Sequence, residues 1–402
     1  MLLFINNKTR KDDKIMKLKF SWLLVVIIAL VLTISILPAC KTATPAETTV
    51  AAVATTAAPA ETTAAETTAA AETTAAAESL NFGYVCNYMS HQWYQNIIAG
   101  MKAEATAIGN INLEVSDSDL DQNKNISFAE NFITKGVDAL IITPVDPNAV
   151  DTVIQKATDA KIPVITEGFI IKGAATYVGI EDYWAGFYGG EAAGKYWTEK
   201  FPDVKAKVLL VGLPFEVACR ARVDGFKDGI KASGANYEIT TEVDGGGMID
   251  QALSVSQDAF TSHGDINMVF GINDDSALGA YEAAKAAKLD ATSATMLITT
   301  CGMEGPPAYN AMKDANHPLK IAICMFPNMV GVGLIDAANA IVKGETVKPV
   351  NYTPAIAVTS AELDKFYTWE NEKLVLNLEA AKQLPSPEKA PWWTDEENGK
   401  HK

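Results

Sequence analysis

The sequence predicts an α/β protein whose folded body consists of two lobes built on parallel sheets. Three observations carry that expectation. From Leu80 onward, short apolar runs alternate with longer amphipathic stretches, and the short runs are apolar almost throughout. Strands of that kind are covered on both faces, as in sheets wound with helices. The alternating region is about three hundred residues long, more than one hydrophobic core usually serves. The residues before Leu80 have a different composition and nothing from which to build a core.

Residues 1–39 read as an export leader. Lys17 and Lys19 precede an uncharged apolar run, and small Ala39 stands directly before Cys40. Basic region, apolar region and small residue, in that order, describe a processed signal. The segment Leu37-Pro38-Ala39-Cys40 resembles a bacterial lipobox, in which the cysteine thiol is acylated and cleavage leaves it as the new N-terminus. Pro38 departs from the commoner Ala or Ser. The alternative reading is a permanent span, because the apolar run is long enough to cross a bilayer. Met16 is an alternative start, since such a leader needs nothing from the charged stretch before it.

Residues 40–79 are almost wholly Ala, Thr, Glu and Pro, with ETTAA recurring. The tract is expected to be a solvated tether. As a flexible chain of some forty residues it would reach about 35 Å. The whole chain carries −16, and the leader's six basic and two acidic residues contribute +4, so the remainder stands at −20. A body this acidic repels nucleic acid and anionic lipid, which leaves acyl chains as the membrane attachment.

Within the body, strands are expected over 82–86, 113–115, 139–143, 163–167, 176–179, 208–212, 239–243, 268–272, 296–300, 320–326 and 355–358. Helical patterns lie between most of them, among them 93–108, 126–135, 149–160, 183–201, 249–260 and 276–287. In open sheets of this class ligands sit beyond the carboxyl ends of the strands, so the residues just after each strand are the functional candidates. Cys86, Cys219, Cys301 and Cys324 show no CxxC and no framework spacing. They read as buried thiols, with Cys301–Cys324 the pair to test for a disulfide.

The segments GVDALIITPVDPNAV (136–150), DAKIPVITEG (159–168) and VFGINDDSALGAYEAA (269–284) resemble, in order and spacing, the type 1 periplasmic sugar-binding proteins, the solute receptors of ABC importers. The resemblance covers roughly residues 80–375. It implies two Rossmann-like lobes that close on a solute about a three-segment hinge near 180–182, 325–326 and 352–354. One lobe would then comprise 80–181 plus 327–351 and the other 182–326 plus 352–375, with 376–402 as a tail. It also implies a monomer that hands a sugar or sugar-like molecule to an ABC permease. A sensory receptor reporting such a ligand to a chemoreceptor or histidine kinase is the alternative.

The resemblance also marks candidate contacts. After the first strand come Ser90-His91-Gln92-Trp93-Tyr94, where flat aromatics and polar rims suit the two sides of a sugar; core packing is the alternative for Trp93. Where the family has an acid, often Asp-Arg, this chain has Glu167, with Phe169 in place of the base; a solvated strand end is the alternative for Glu167. Arg222 matches a ligand-facing arginine, or else forms a surface salt bridge. Asn273 matches a solute-contacting amide, with Asp274 and Asp275 as helix-capping residues, one of them also facing the cleft. Glu304 stands for an expected acid, while Met303 and Met325 suggest a less polar pocket and a neutral, hydroxyl-bearing guest.

Other chemistry finds no support in the residues. The run Asp244-Gly245-Gly246-Gly247 lacks a Walker lysine and reads as a turn. The four histidines do not pair with cysteines or carboxylates at ligand spacing, so no metal or cofactor is expected. No nucleophile–base arrangement, GxSxG or HExxH occurs, and the chain is expected not to be an enzyme. Pro391-Trp392-Trp393 has no assigned role.

Overall fold

The computed structural model describes residues 78–289, 295–370 and 373–387. The leader, Cys40, nearly all of the tether and the Pro391-Trp392-Trp393 segment lie outside them.

The first sheet carries β1 (Leu80–Cys86), β2 (Ile111–Asp117), β3 (Ala139–Ile142), β4 (Val164–Thr166) and β5 (Thr176–Ile180), all parallel. Its helices are α1 (Gln92–Ile108), α2 (Gln122–Lys135) and α3 (Asp151–Asp159). The chain then enters α4 (Asp182–Lys200), which belongs to the second lobe. That lobe continues with β6 (Ala206–Gly212), α5 (Val217–Ala232), β7 (Tyr237–Asp244), α6 (Ile249–Ser262), β8 (Met268–Gly271), α7 (Asp274–Ala286), β9 (Leu297–Gly302), α8 (Pro306–Lys313) and β10 (Leu319–Cys324). From there α9 (Pro327–Val342) returns to pack on α1, β11 (Val350–Thr353) joins β5, and β12 (Ile356–Thr359) goes back to β10.

The two sheets have equivalent orders, β11-β5-β4-β3-β1-β2 and β12-β10-β9-β8-β6-β7. In each, the connections reverse direction beside the first strand, between β1 and β3 and between β6 and β8. Crevices beyond the carboxyl ends at those reversals are where such sheets bind ligands. One strand departs from the expected parallel pattern: β12 is antiparallel to β10. It arrives from the other lobe by a short crossing instead of a helix, so it runs against its neighbour. The strand β11 was not anticipated from sequence, because Val350-Asn351-Tyr352-Thr353 is short and half polar.

Three apolar clusters fill the layers. The largest joins α1, α4, α5 and α9 to one face of each sheet, with Trp197, Phe226 and Phe270 in it. The others pack α2 and α3 behind the first sheet and α6 to α8 behind the second. The body also extends past the expected limit at 375. A hairpin of β13 (Tyr367–Glu370) and β14 (Lys373–Leu376) leads to α10 (Leu378–Lys382), whose Ala381 is buried in the second lobe's cluster.

The helices α4 and α5 touch backbone to backbone. A Cβ on Gly186 would lie 2.0 Å from the carbonyl oxygen of Arg222, and one on Gly225 2.0 Å from that of Tyr183. Only glycine permits that approach, and it sets where Arg222 stands.

The four described cysteines are free. A Cys301–Cys324 disulfide is ruled out by register, because Cys301 lies opposite Ile323 and Cys324 opposite Gly302. Successive strand residues face opposite sides, so one thiol enters the large cluster and the other the cluster behind the second sheet.

Candidate ligand-binding site

The first lobe's wall begins in the loop after β1. His91 caps α1, its Nδ1 accepting the Trp93 N–H at 3.2 Å. That bond fixes both the ring and the start of the helix. Tyr94 lies edge-on to His91, with its hydroxyl accepting from Asn87 Nδ2 at 3.0 Å. Trp93 is buried, and its indole Nε1 stands 3.5 Å from Glu167 Oε1. The other oxygen of Glu167 accepts from Thr143 Oγ1 at 2.8 Å, and Thr143 in turn meets the Tyr84 hydroxyl at 2.9 Å.

Glu167 is therefore not a solvated strand end. It is 4% exposed, and burial pushes its carboxyl up to about 7. The bonds from Thr143 and Trp93 oppose that rise, while the charges of Asp182 and Glu216 add to it.

The second lobe supplies the opposite wall. Arg222 is no surface residue: its Nε donates to Asp182 Oδ1 at 2.8 Å and its guanidinium NH1 to the Ile272 carbonyl at 3.0 Å. Glu216 caps α5 by accepting the Cys219 N–H at 2.8 Å. Asn273 is buried and uses both ends of its amide, accepting from Ser276 N at 2.8 Å and donating to the Gly247 carbonyl at 2.9 Å.

Asn273, not Asp274 or Asp275, is thus the cap of α7. Asp274 instead ties that helix to the turn after β9. It accepts from Thr300 Oγ1 at 2.8 Å, Met303 N at 3.2 Å and Glu304 N at 2.7 Å. The turn closes on it because Gly302 and Met303 both take positive φ, and a Cβ on Gly302 would stand 3.0 Å from the carboxyl carbon of Asp274.

Glu304 follows that turn. Its backbone carbonyl accepts from Asn96 Nδ2 of the first lobe at 2.6 Å. Its side chain is 7% exposed and lies 3.7 Å from His91 Nδ1. This approach is not an ion pair in the protein alone. Burial holds His91 below its ordinary value, and burial with the Asp274 charge raises Glu304 well above its own.

A cavity of about 280 Å3 opens here, lined from one lobe by Tyr88, Ser90, His91 and Gln92, and from the other by Asp275, Leu278, Glu304 and Pro307 among others. Of the residues expected from sequence, it gathers His91, Glu304 and both Asp274 and Asp275, of which one was expected to face the cleft. Trp93 is part of the large apolar cluster and Tyr94 packs against it; these two, with Glu167, Arg222 and Asn273, lie outside the cavity's lining. Phe169 is not brought to this group; it packs against the cluster behind the first sheet. Met325 is fully buried in the large cluster at the crossing into α9, and Met303 in the cluster behind the second sheet. Met303 therefore does not make the pocket apolar; its place is a core position. A larger hollow of about 740 Å3 beside α9 and β11 contains none of these residues.

Asn96, Asp182, Glu216 and Thr143 were not anticipated. Glu216 and Asp182 had a signal, since each is an acid at the start of a helix that follows a strand. Asn96 and Thr143 had none, because their partners are remote in sequence.

A family model described as the periplasmic binding protein domain matches residues 82–346, well over half of the chain. The chain belongs to this family. Among curated relatives, the ribose import binding protein of Salmonella typhimurium is 29% identical over 270 residues, 66% of this chain and 85% of that one. The ribose import binding protein of Bacillus subtilis is 27% identical over 275 residues, 68% of this chain and 85% of its own. An ABC transporter solute-binding protein from Actinobacillus succinogenes with bound D-allose superposes with a TM-score of 0.64 at 21% identity, covering 72% of this chain and 100% of that one. One from Bacillus halodurans with bound myo-inositol gives 0.63 at 23%, covering 73% and 98%. At these identities the structural likeness speaks for the fold. This periplasmic binding protein is of the type 1, sugar-binding kind found in ABC transporters, a solute binder and not an enzyme. The family implies a place outside the cytoplasm.

Proposed function

We propose that the protein is the lipid-anchored receptor of an ABC importer, taking a sugar or sugar-like molecule between its lobes and passing it to a permease. The observation that carries this reading is the cleft itself: side chains from both lobes line one cavity beyond the strand tips, and among the described residues the chain crosses between the lobes after β5, after β10 and after β11. A solute touching both walls favours the closed arrangement by the contacts it makes only there. The permease then recognises the closed shape.

Ribose, D-allose and myo-inositol, named for the relatives, set the size class of the guest. His91, Trp93, Tyr94, Glu167, Arg222, Asn273 and Glu304 are the proposed contacts. Phe169 and Met325 are supports at most, given where they pack. The lipid anchor rests on Cys40 and its leader.

The test is a thermal-shift screen over pentoses, hexoses and cyclitols, followed by small-angle scattering with any hit. A hit should raise Tm and reduce the radius of gyration, and Trp93→Ala should remove the shift while leaving a folded protein. A ligand that stabilises the protein equally in Trp93→Ala and wild type would show that it binds elsewhere.

A further inference from the structure

The charge on the cleft walls is one-sided. Glu167 and Glu216 stand at the cleft, Asp275 and Glu304 line the cavity, and Asp274 lies directly behind Glu304. Among them are Arg222 and His91. Arg222 is engaged by Asp182 and by the Ile272 carbonyl. His91 is kept neutral by burial, with the nearby Arg222 acting in the same direction against Asp275.

Not all these acids need a partner. Asp274 accepts three hydrogen bonds and Glu167 two. Glu304 differs. Its side chain is more than nine-tenths buried and lines the cavity, yet its carboxylate accepts no hydrogen bond among the described residues. His91 Nδ1 at 3.7 Å does not serve, because that nitrogen's lone pair accepts the Trp93 N–H. The Nδ1 lone pair therefore faces the Glu304 carboxyl group across this gap. Burial disfavours the ionised form of that group in the protein alone, and a cation from the ligand would favour it.

We propose that the ligand is a hydroxylated ring bearing a protonated amine, with the ammonium seated against Glu304 and Asp275 at the His91 side of the cavity. This inference rests on the reading of the cleft as a solute site, and replaces the neutral guest expected from sequence. An ammonium brings three donors and a positive charge to two neighbouring acids, favours their ionised forms, and makes charge-assisted bonds to them. A hydroxyl offers one donor and no charge. The cavity, about 280 Å3, is at the small end of ligand sites and suits a single ring. Ser90 and Gln92 supply rim groups for hydroxyls, and Leu278 and Pro307 an apolar floor. Among the described residues no three metal-ligating side chains converge to hold a metal ion. The acidic protein as a whole attracts cationic solutes.

The experiment is calorimetric titration of the full folded protein with matched pairs: glucose and glucosamine, galactose and galactosamine, myo-inositol and streptamine. At least one amine should bind about tenfold or more tightly than its hydroxyl counterpart. In Glu304→Gln that amine-to-hydroxyl ratio should fall to near one, and in Asp275→Asn it should fall in the same direction. The second variant, at a partly buried position on the helix start, keeps the test decisive if the first does not fold. Tight binding of a neutral member with no gain from its amine overturns the ammonium site and leaves the solute-receptor reading standing. Binding of calcium ion alone, abolished in Glu304→Gln, overturns it in favour of a metal. Failure of every member of both series to bind overturns both readings.

Discussion

The side-chain amide of Asn96, on α1 of the first lobe, donates to the main-chain carbonyl of Glu304 in the second at 2.6 Å. Through this bond the lobes meet directly, beside the buried carboxylate that lines the cavity. The same asparagine's own carbonyl accepts from Asn328 Nδ2 at 3.1 Å, so α1, α9 and the turn after β9 are linked in series. Asn96→Ala should weaken lobe closure. One such bond contributes about 0.5–1.5 kcal/mol net, so affinity for the ligand should fall roughly two- to tenfold. Small-angle scattering of the ligand-free variant should show a larger radius of gyration than wild type. Unaltered affinity and radius together would mean that the contact does not hold the lobes.

Stability should depend on pH through Glu167. Its carboxyl is raised from 4.5 to about 7 in the folded protein, by burial first. The folded state therefore holds this proton more tightly than the unfolded chain. The associated stability is complete below about pH 4.5, declines as pH rises through 7, and is constant above that. The ligand-free protein should lose Tm across this window, with Glu167→Gln flattening part of the slope. Asp274, raised to about 6, contributes in the same direction. A slope that is the same in wild type and Glu167→Gln would show that this carboxyl does not titrate there.

Gly186→Ala should be among the most damaging small substitutions. The added methyl would meet the Arg222 carbonyl at 2.0 Å, which is backbone and cannot rotate aside. The helices α4 and α5 must separate, at a cost of several kcal/mol if the pair stays folded. Arg222 moves with its helix, so ligand binding should be lost along with Tm. Alanine at Gly344, where no atom stands within 4 Å of the added carbon, should be strained only through its φ of 80° and should leave binding intact.

Asn273→Ala should lower stability by about 1 kcal/mol through loss of the α7 cap, and Asn273→Ser, which keeps an acceptor for the Ser276 N–H but no amide for the Gly247 carbonyl, should recover part of it. If Asn273 also touches the solute, Asn273→Ser recovers Tm in part without restoring affinity. Comparing denaturant midpoints with titrations separates the two roles.

The anchor is tested at Cys40. Mass spectrometry of the membrane-extracted protein should find an acylated Cys40 at the N-terminus, and Cys40→Ser should leave the protein unanchored or misplaced. A mature chain that retains residues 1–39 would indicate a spanning anchor.

Much of the architecture could be read from local pattern alone. Apolar runs such as Ala139–Ile142 are buried on both faces and show no alternation, so they mark strands of covered parallel sheet without any knowledge of their neighbours. The end of such a strand followed by a helix marks a cap near residues 273–275, but the local pattern points to Asp274 and Asp275, and the structure gives it to Asn273. The acids after β4 and β9, Glu167 and Glu304, were marked by the resemblance, and the structure buries both, with Glu304 at the cavity and Glu167 outside its lining.

Tertiary structure decided which of those strand-end residues are already satisfied and which are not. Asp274 looked like a cap and is instead held by Thr300 and the backbone of residues 303 and 304; Glu304, expected as a ligand acid, has no hydrogen-bond donor among the described residues. The Asn96 contact spans 208 positions and the Trp93–Glu167 contact 74, distances over which neither periodicity nor spacing carries information. Secondary structure follows from interactions within a few residues, which the order of side chains determines directly. The polarity of the cleft depends on which groups burial leaves without partners, and that is set only when two separately built lobes face each other.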